Sequence, residues 1–420
     1  MKLDDFRLNL HGKEYVPIII GGMGVNISTA ELALEAARLG GIGHISDAEV
    51  HAIADKRFGT NFIERKREKY FASKDQRSKP EVQFNIDELA EAQGLHVSKT
   101  MEAKKGSGAI FMNCMEKLTM NNPLETLKTR LSAAMDAGID GITLSAGLHL
   151  RSFELIKNHS RFFDTMFGII VSSAKALNLF LIKAARVGRQ PDYIVVEGPL
   201  AGGHLGFGIN NWKEFNLKSI TDEVLQFLKE HGLKIPVIPA GGIFTGTDAV
   251  EFLQSGSSGV QVATRFTVTK ESGLPDFVKQ KYFQALEEEV EVNTVSPTGY
   301  PMRMLKQSPV LQKSVKPNCE GLGYLLDSKG NCSYLGAYYD EIQKGISAAN
   351  VFIKEKVCLC TGMQTFKCWT CGHYVYRLKD TTNKLIDGVY QLLTAEHVFQ
   401  DYLFSEDHKI KLPEFELAFA

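Results

Sequence analysis

A histidine lies among glycines in residues 197–207, directly after the short apolar run of residues 193–196. The run is rich in β-branched residues, which predicts a buried strand. Glycines after a strand let the backbone lie against a planar ligand, and barrel enzymes place catalytic groups at the carboxyl ends of their strands. The pattern therefore makes His204 the candidate catalytic residue. On this segment alone, a glycine-rich turn with a polar histidine at its tip remains open.

Eight short apolar runs recur along the chain, separated by segments long enough for helices. They are residues 16–20, 42–46, 109–113, 141–145, 168–173, 193–196, 235–240 and 259–266. Eight parallel strands separated by helical crossovers are what a (β/α)8 barrel requires. An open doubly wound sheet rarely has eight evenly recurring units. The sequence therefore predicts the α/β class with a (β/α)8 TIM barrel.

Two segments interrupt this alternation. Residues 48–106 are locally basic with aromatic residues between the charges, and we interpret them as an insertion after strand two with a solvated helical face. At residues 296–301 a Pro/Gly cluster marks a boundary, and the chain beyond it carries six of the seven cysteines. We predict a barrel domain over residues 1–300 and a Cys-rich extension over residues 301–420 packed on the barrel.

Small and amide-bearing residues recur at the carboxyl ends of the predicted strands, which meet at one mouth of a barrel. Small residues after strands seven and eight permit close approach of a phosphate oxygen, and Thr264 adds a hydroxyl donor. Asn113 can donate and accept at the edge of a heterocycle. Flavin mononucleotide (FMN) fits this set better than a sugar phosphate does. The predicted cofactor-binding residues are Gly22, Met23, Gly24, Asn113, Glu197, Gly202, Gly203, Gly241, Gly242, Gln261, Ala263 and Thr264.

The cysteines of the extension are spaced as Cys358-x-Cys360 and Cys368-x-x-Cys371-Gly372. The second spacing is half of a zinc-ribbon knuckle, whereas a single residue between two cysteines strains chelation. Buried free thiols are the favoured interpretation, and no metal ligand is assigned. A structural metal and redox-active thiols remain open.

The net charge and the number of cysteines limit the classes of partner and the cellular compartment that the sequence predicts. The formal net charge is −1, so no nucleic-acid or membrane-surface partner is expected. The sequence has no apolar stretch of the roughly 18 residues that a membrane span needs, and its first residues do not look like a signal peptide. An odd number of cysteines without an export signal favours reduced thiols and a cytoplasmic location.

Five ordered motifs closely resemble the nitronate monooxygenase (2-nitropropane dioxygenase) family, whose barrel is shared with FMN-dependent enoyl-ACP reductases. The motifs are residues 17–24, 197–204, 240–243, 259–266 and 296–301. The resemblance implies an FMN-bearing barrel in which His204 matches the catalytic base. It places Asn113, Gly202, Gly242, Gln261 and Thr264 on positions that contact FMN. The chain departs from the family at Glu197, where glutamine is frequent, and at Ala263, where glycine is frequent.

The resemblance also implies a reaction. We expect FMN-dependent oxidation of nitronates or nitroalkanes by O2 to carbonyl compounds and nitrite, with His204 as the base and a small molecule and O2 as partners; a homodimer is left open. Two alternatives remain. One is an NAD(P)H-dependent FMN reductase of enoyl-ACP or quinone type, and the other is a non-catalytic partner protein that binds flavin or metal.

Overall fold

The computed structural model describes residues 1–116, 121–323 and 331–414. Within these residues, eight parallel strands close into a barrel in chain order, and the eighth pairs with the first. They are β1 (Ile18–Ile20), β2 (Ile42–Ser46), β3 (Ala109–Met115), β4 (Gly141–Ser145), β5 (Met166–Val171), β6 (Tyr193–Glu197), β7 (Val237–Ala240) and β8 (Val260–Val262). The predicted (β/α)8 barrel is confirmed. Parts of the predicted extension, residues 324–330 and 415–420, lie outside the described residues.

The eighth strand is shorter than the sequence pattern predicts. At Ala263 the backbone turns out of the extended region, with φ −138° and ψ −51°. Phe266 and Thr267 then donate their N–H groups to the carbonyl oxygen of Ala263, at 2.8 and 3.1 Å, and Thr264–Val268 is a 3₁₀ helix. The prediction that residues 259–266 form one strand is wrong at its carboxyl end. Apolar and β-branched residues continue beyond the turn, so the composition does not reveal it.

Helices surround the barrel and link its strands. In the first part of the chain they are α1 (Ala30–Arg38), α2 (Val50–Phe58), α3 (Phe62–Lys69), α4 (Ile86–Glu102), α5 (Pro123–Asp136), α6 (Ser152–Ile156), α7 (Ala174–Ala185), α8 (Leu217–Glu230) and α9 (Gly246–Gln254). Later come α10 (Asp276–Phe283), α11 (Pro309–Gln312), α12 (Cys319–Leu322), α13 (Ser333–Gln343), α14 (Leu359–Gln364) and α15 (Ala395–Phe404). The apolar faces of α1, α5, α7, α8 and α9 share one core with the outer faces of the strands.

The last helix returns from the end of the chain to the barrel. α15 packs against α1 and α9, and its Phe399 and Tyr402 join the main hydrophobic core. Asp401 pairs with Arg265, the residue after the turn that ends β8, at 2.7 Å between two buried side chains. α15 therefore covers the barrel beside β8, where an eighth outer helix belongs. The domain division at residue 300 stays a prediction.

The basic insertion is less solvated than the sequence suggests. It contains α2, α3 and α4, and several of its arginines pair with carboxylates, as Arg65 does with Glu88 at 3.1 Å. Lys66 is only 4% exposed. Its ammonium donates to the carbonyl oxygens of the α12 residues Cys319 and Glu320, at 3.2 and 3.1 Å. A charged side chain that joins two distant segments has no signature in the local sequence.

A chain of hydrogen bonds crosses the interior of the barrel. Nδ1 of His44 lies 2.7 Å from the carbonyl oxygen of Ile20, and Nε2 lies 2.5 Å from Oγ1 of Thr143. Thr143 in turn contacts the hydroxyl of Tyr193 at 2.5 Å. Because Ile20 can only accept, Nδ1 carries the proton and Nε2 accepts from Thr143. His44 is therefore a satisfied residue of the barrel interior.

Candidate active site

Glycines of the loop after β1 lie directly on side chains from the ends of β3 and β8. A Cβ placed on Gly22 would lie 2.2 Å from Cγ of Asn113, and one on Gly21 would lie 3.2 Å from Cγ of Gln261. A Cβ on Gly24 would meet Met115 at 2.7 Å. Met23 between them donates its N–H to Ser28 at 2.8 Å. The structure thus brings five predicted cofactor-binding residues together at the mouth, namely Gly22, Met23, Gly24, Asn113 and Gln261.

The loop after β7 has the backbone geometry of an anion site. Gly241 and Gly242 have φ values of +97° and +91°, which L-residues with side chains rarely adopt. Among the described residues, no protein group accepts a hydrogen bond from the backbone N–H of Gly242, Ile243 or Thr264. Unused N–H groups after strands seven and eight of a barrel are the usual setting of a bound phosphate.

His204 lies on a short strand beside the barrel. The strand Gly203–His204 pairs antiparallel with Met302–Leu305, so that His204 faces Met302. Nε2 of His204 lies 2.7 Å from Oγ of the buried Ser296, and this oxygen lies 2.7 Å from Oγ1 of Thr298. Ser296 therefore fixes the orientation of the imidazole. Sequence reasoning missed this role and placed a domain boundary at residues 296–301.

Glu197 ends β6 and neighbours Ala240 in the barrel, which in turn neighbours Gln261. Burial raises the pKa of its carboxyl to about 7, and the charge of Arg303 opposes the rise. Arg303 is 0% exposed. Its Nη1 donates to the carbonyl oxygen of Ala201, and its guanidinium carbon lies 4.8 Å from the ring centre of Trp212.

The cysteine-rich extension forms part of the same mouth. A Cβ placed on Gly202 would lie 2.8 Å from the carbonyl carbon of Cys371, and one on Gly372 would lie 2.3 Å from Oγ1 of Thr264. The next residue, His373, donates its N–H to the carbonyl oxygen of Leu200 at 3.1 Å. Gly202 and Thr264 are thus connected through Gly372. The sequence pattern of a zinc knuckle gave no sign of this position.

The six cysteines of the extension lie in two places. Cys368 and Cys371 are buried near the mouth, whereas Cys319, Cys332, Cys358 and Cys360 line a small cavity together with Tyr334 and Leu359. Among the described residues, no group of three or more His, Cys, Asp and Glu side chains is arranged to hold a metal ion. Burial raises the pKa of Cys319 and of Cys371, which favours their neutral thiol forms.

The mouth contains polar atoms that are buried without a hydrogen-bond partner among the described residues. They are Oε1 of Gln261, Nε and Nη2 of Arg303 and Nδ1 of His373. Leaving such atoms unsatisfied costs free energy, so they favour a bound polar ligand. An amide acceptor near the β1 loop, cationic donors and unused backbone N–H groups fit a heterocycle that carries a phosphate, which is the chemistry of FMN.

The fold and this mouth define a barrel enzyme, and the comparison with family models is consistent with both. Residues 7–351 match the model described as nitronate monooxygenase. The chain therefore belongs to the nitronate monooxygenase family, a family of flavin-dependent oxidoreductases. Membership in an enzyme family removes the alternative of a non-catalytic partner protein.

Individual relatives match over part of the chain. The (3aS,4S,5R,7aS)-5-hydroxy-7a-methyl-1-oxo-octahydro-1H-indene-4-carboxyl-CoA dehydrogenase of Mycobacterium tuberculosis is 34% identical over 33% of this chain and 36% of that protein. A probable nitronate monooxygenase of Staphylococcus haemolyticus is 33% identical over 25% of this chain and 29% of that protein. The matches thus span about a third of the relatives' lengths.

Two solved structures share the fold. Nitroalkane oxidase from Streptomyces ansochromogenes superposes with a TM-score of 0.56 and 15% identity, over 92% of this chain and 94% of that one. FabK from Thermotoga maritima gives 0.54 and 16% identity, over 92% and 91%. Among the described residues, none of the helices has the length and apolar character to cross a bilayer. The cytoplasmic location and the homodimer stay predictions.

Proposed function

We propose that this protein uses FMN to oxidise nitronates or nitroalkanes with O2, which yields carbonyl compounds and nitrite. The observation that carries the proposal is the imidazole of His204, held by Ser296 at 2.7 Å in the glycine-rich loop that follows β6. Membership in the nitronate monooxygenase family supports the reaction class. FMN, when bound, supplies the redox chemistry by taking electrons from the substrate and passing them to O2.

Two groups of residues would hold FMN. The heterocycle would be contacted by Gly22, Met23, Gly24, Asn113 and Gln261. The glycines of the β1 loop have no side chains that would stand between the loop and the side chains of Asn113 and Gln261. The positive-φ loop at Gly241 and Gly242 and the turn at Ala263 and Thr264 would receive the phosphate through backbone N–H groups. Gly202 and Gly203 would let the β6 loop pass close to the cofactor, beside Glu197.

His204 would take the proton from the carbon that carries the nitro group. A neutral imidazole is a suitable base for this weakly acidic carbon when it lies within about 3 Å of the proton. Ser296, at 2.7 Å from Nε2, holds the ring in position. When the substrate is already a nitronate, no proton has to be removed, and the site needs only to bind and orient it.

A steady-state assay tests this function. Purified protein, supplied with FMN, is mixed with propyl-1-nitronate or with 1-nitropropane, and O2 consumption and nitrite release are followed. We expect both to rise together with nitronate. NADH or NADPH in the presence of a quinone is the comparison substrate pair. Nicotinamide oxidation without any nitrite from nitronate would contradict the proposal.

The reductase alternative remains a second candidate because of one feature of the mouth. Glu197 puts a titratable carboxyl where the family frequently has a neutral glutamine, and burial raises its pKa to about 7. A protonated carboxyl can donate a hydrogen bond or a proton to a substrate oxygen. The 34% identity to the indene-carboxyl-CoA dehydrogenase of Mycobacterium tuberculosis over a third of the chain also points to substrates other than nitro compounds.

Ser296→Ala is expected to lower kcat for neutral nitroalkane roughly 10-fold, because the imidazole loses the hydrogen bond that orients it. Turnover of preformed nitronate should change little. Ser296→Thr, which keeps the hydroxyl, should retain most of the activity. The measurement is kcat and KM for both substrates across pH 6–9. Equal losses with both substrates would show that Ser296 acts on the fold and not on the base.

A further inference from the structure

Arg303 is a cation buried without full compensation. Its side chain is 0% exposed, and it lies on the antiparallel strand Met302–Leu305, outside the barrel strands. Nη1 donates to Ala201, while Nε and Nη2 have no hydrogen-bond partner among the described residues. Burying a guanidinium with two unused N–H donors costs free energy unless an anion accepts hydrogen bonds from them.

Within the described part of the chain, the carboxyl of Glu197 does not form a hydrogen-bonded pair with Arg303. Glu197 interacts with it electrostatically, but Nε and Nη2 of Arg303 donate no hydrogen bond to its carboxyl among the described residues. Burial raises the pKa of the Glu197 carboxyl to about 7, which favours its neutral form. Burial lowers the pKa of Arg303 only to about 10, so the guanidinium stays charged. The two unused donors therefore have no anionic acceptor among the described residues.

Arg303 is linked through neighbouring residues to each of the two loops that could hold a phosphate, the loop after β7 and the turn after β8. Ala201, which accepts from Nη1, lies against the loop after β7, because a Cβ placed on Gly241 would be 2.8 Å from its nitrogen. On the other side, Cys371 donates its N–H to the carbonyl oxygen of Arg303 at 3.3 Å. The following residue, Gly372, lies on Oγ1 of Thr264 after β8. Arg303 is thus linked to the loop after β7 through Ala201 and to the turn after β8 through Cys371 and Gly372.

We propose that Arg303, with His373 beside it, completes an anion site that binds the terminal phosphate of FMN together with the backbone N–H groups after β7 and β8. This inference rests on the proposed function for the presence of FMN. Trp212 packs on the guanidinium, whose carbon lies 4.8 Å from the ring centre. His373 contributes a buried Nδ1 that has no partner among the described residues.

The proposal gives the C-terminal extension a role in cofactor retention. The barrel alone supplies the backbone donors, whereas the positive charge and the covering segment Thr370–His373 come from beyond residue 300. A carboxylate on a substrate would satisfy the same donors, so the test has to distinguish the phosphate of FMN from a substrate anion. Riboflavin serves this purpose because it has the same heterocycle and no phosphate.

The experiment measures dissociation constants of FMN and riboflavin for apoprotein of the wild type and of Arg303→Gln, by quenching of flavin fluorescence. Losing a charge-assisted bidentate contact should weaken FMN binding roughly 10- to 100-fold and leave riboflavin binding unchanged. Arg377→Gln is the matched control, because Arg377 follows the covering segment in the chain and stacks on Phe244 at 4.3 Å. It removes an equal charge near the mouth and should leave FMN affinity within about 3-fold.

A second variant guards against misfolding. Arg303→Lys keeps the charge and should show a smaller loss, again confined to FMN, and the 31P resonance of bound FMN should differ from that of the wild type. Equal weakening of FMN and riboflavin, an unchanged FMN affinity in Arg303→Gln, or an identical 31P resonance in Arg303→Lys would each overturn the inference. If the wild type binds neither flavin, the proposed function itself fails.

Discussion

Replacing His204 by asparagine is expected to abolish turnover of neutral nitroalkanes and to spare turnover of preformed nitronates. Asparagine keeps polarity and approximate size but cannot accept a proton at neutral pH. Removal of a positioned general base costs roughly 10²- to 10⁴-fold in rate. The nitronate already lacks the proton, so its oxidation requires only binding and orientation. The measurement is kcat/KM for 1-nitropropane and propyl-1-nitronate at pH 7.5.

The control variant is His231→Asn. His231 lies at the carboxyl end of α8 and is exposed. It contacts Phe227 of its own helix, at 2.8 Å from the backbone oxygen and 4.1 Å between the ring centres. Its replacement should leave both substrates unaffected. If His204→Asn lost activity equally with nitroalkane and nitronate, His204 would be a binding residue and not the base. If it retained full activity with nitroalkane, another group would have to remove the proton.

Acid is expected to destabilise the fold strongly between about pH 6.5 and pH 4. Burial lowers the pKa of His44 and His51 to about 4 and that of His96 to about 3. In this window the unfolded chain binds protons on these residues and the folded chain does not, so the free energy of unfolding falls as pH falls. Each histidine contributes on the order of 3 kcal/mol across the window. Above pH 6.5 this loss is absent.

The pH dependence can be assigned to particular residues. His96 lies in α4 and is fully buried, and this burial lowers its pKa to about 3. His96→Leu should therefore reduce the slope of unfolding free energy against pH by about one proton, as measured by urea unfolding at pH 7.5, 6, 5 and 4.5. His231→Asn, at an exposed position, should leave the slope unchanged. A slope in His96→Leu equal to that of the wild type would contradict the assignment.

The barrel could be predicted from the sequence because its strands are local patterns. Apart from the insertion at residues 48–106, helix-length segments separate the eight apolar runs, and this alternation predicts a parallel closed sheet. The end of β8 was missed because a backbone turn at Ala263 leaves the apolar pattern intact. α15 has an ordinary amphipathic pattern, and nothing in that pattern shows that it packs between α1 and α9.

The residues of the candidate site also form two groups, those that the sequence predicts and those that it does not. Gly22, Asn113 and Gln261 were predictable because they follow strands, and the ends of parallel strands meet at one mouth. Arg303 and His373 were not, because they reach the mouth from a separate antiparallel strand and from a cysteine-rich loop. Such contacts depend on how distant segments pack, and a buried arginine has no periodic pattern to mark it.

The most direct test of the account is anaerobic mixing of the purified, flavin-loaded protein with propyl-1-nitronate, followed by its absorbance near 450 nm. The account expects a yellow protein with one FMN per chain, whose flavin absorbance is lost on mixing with nitronate and returns when O2 is admitted with release of nitrite. A colourless protein that takes up no FMN, or a flavin that NADH or NADPH reduces and nitronate does not, would contradict it.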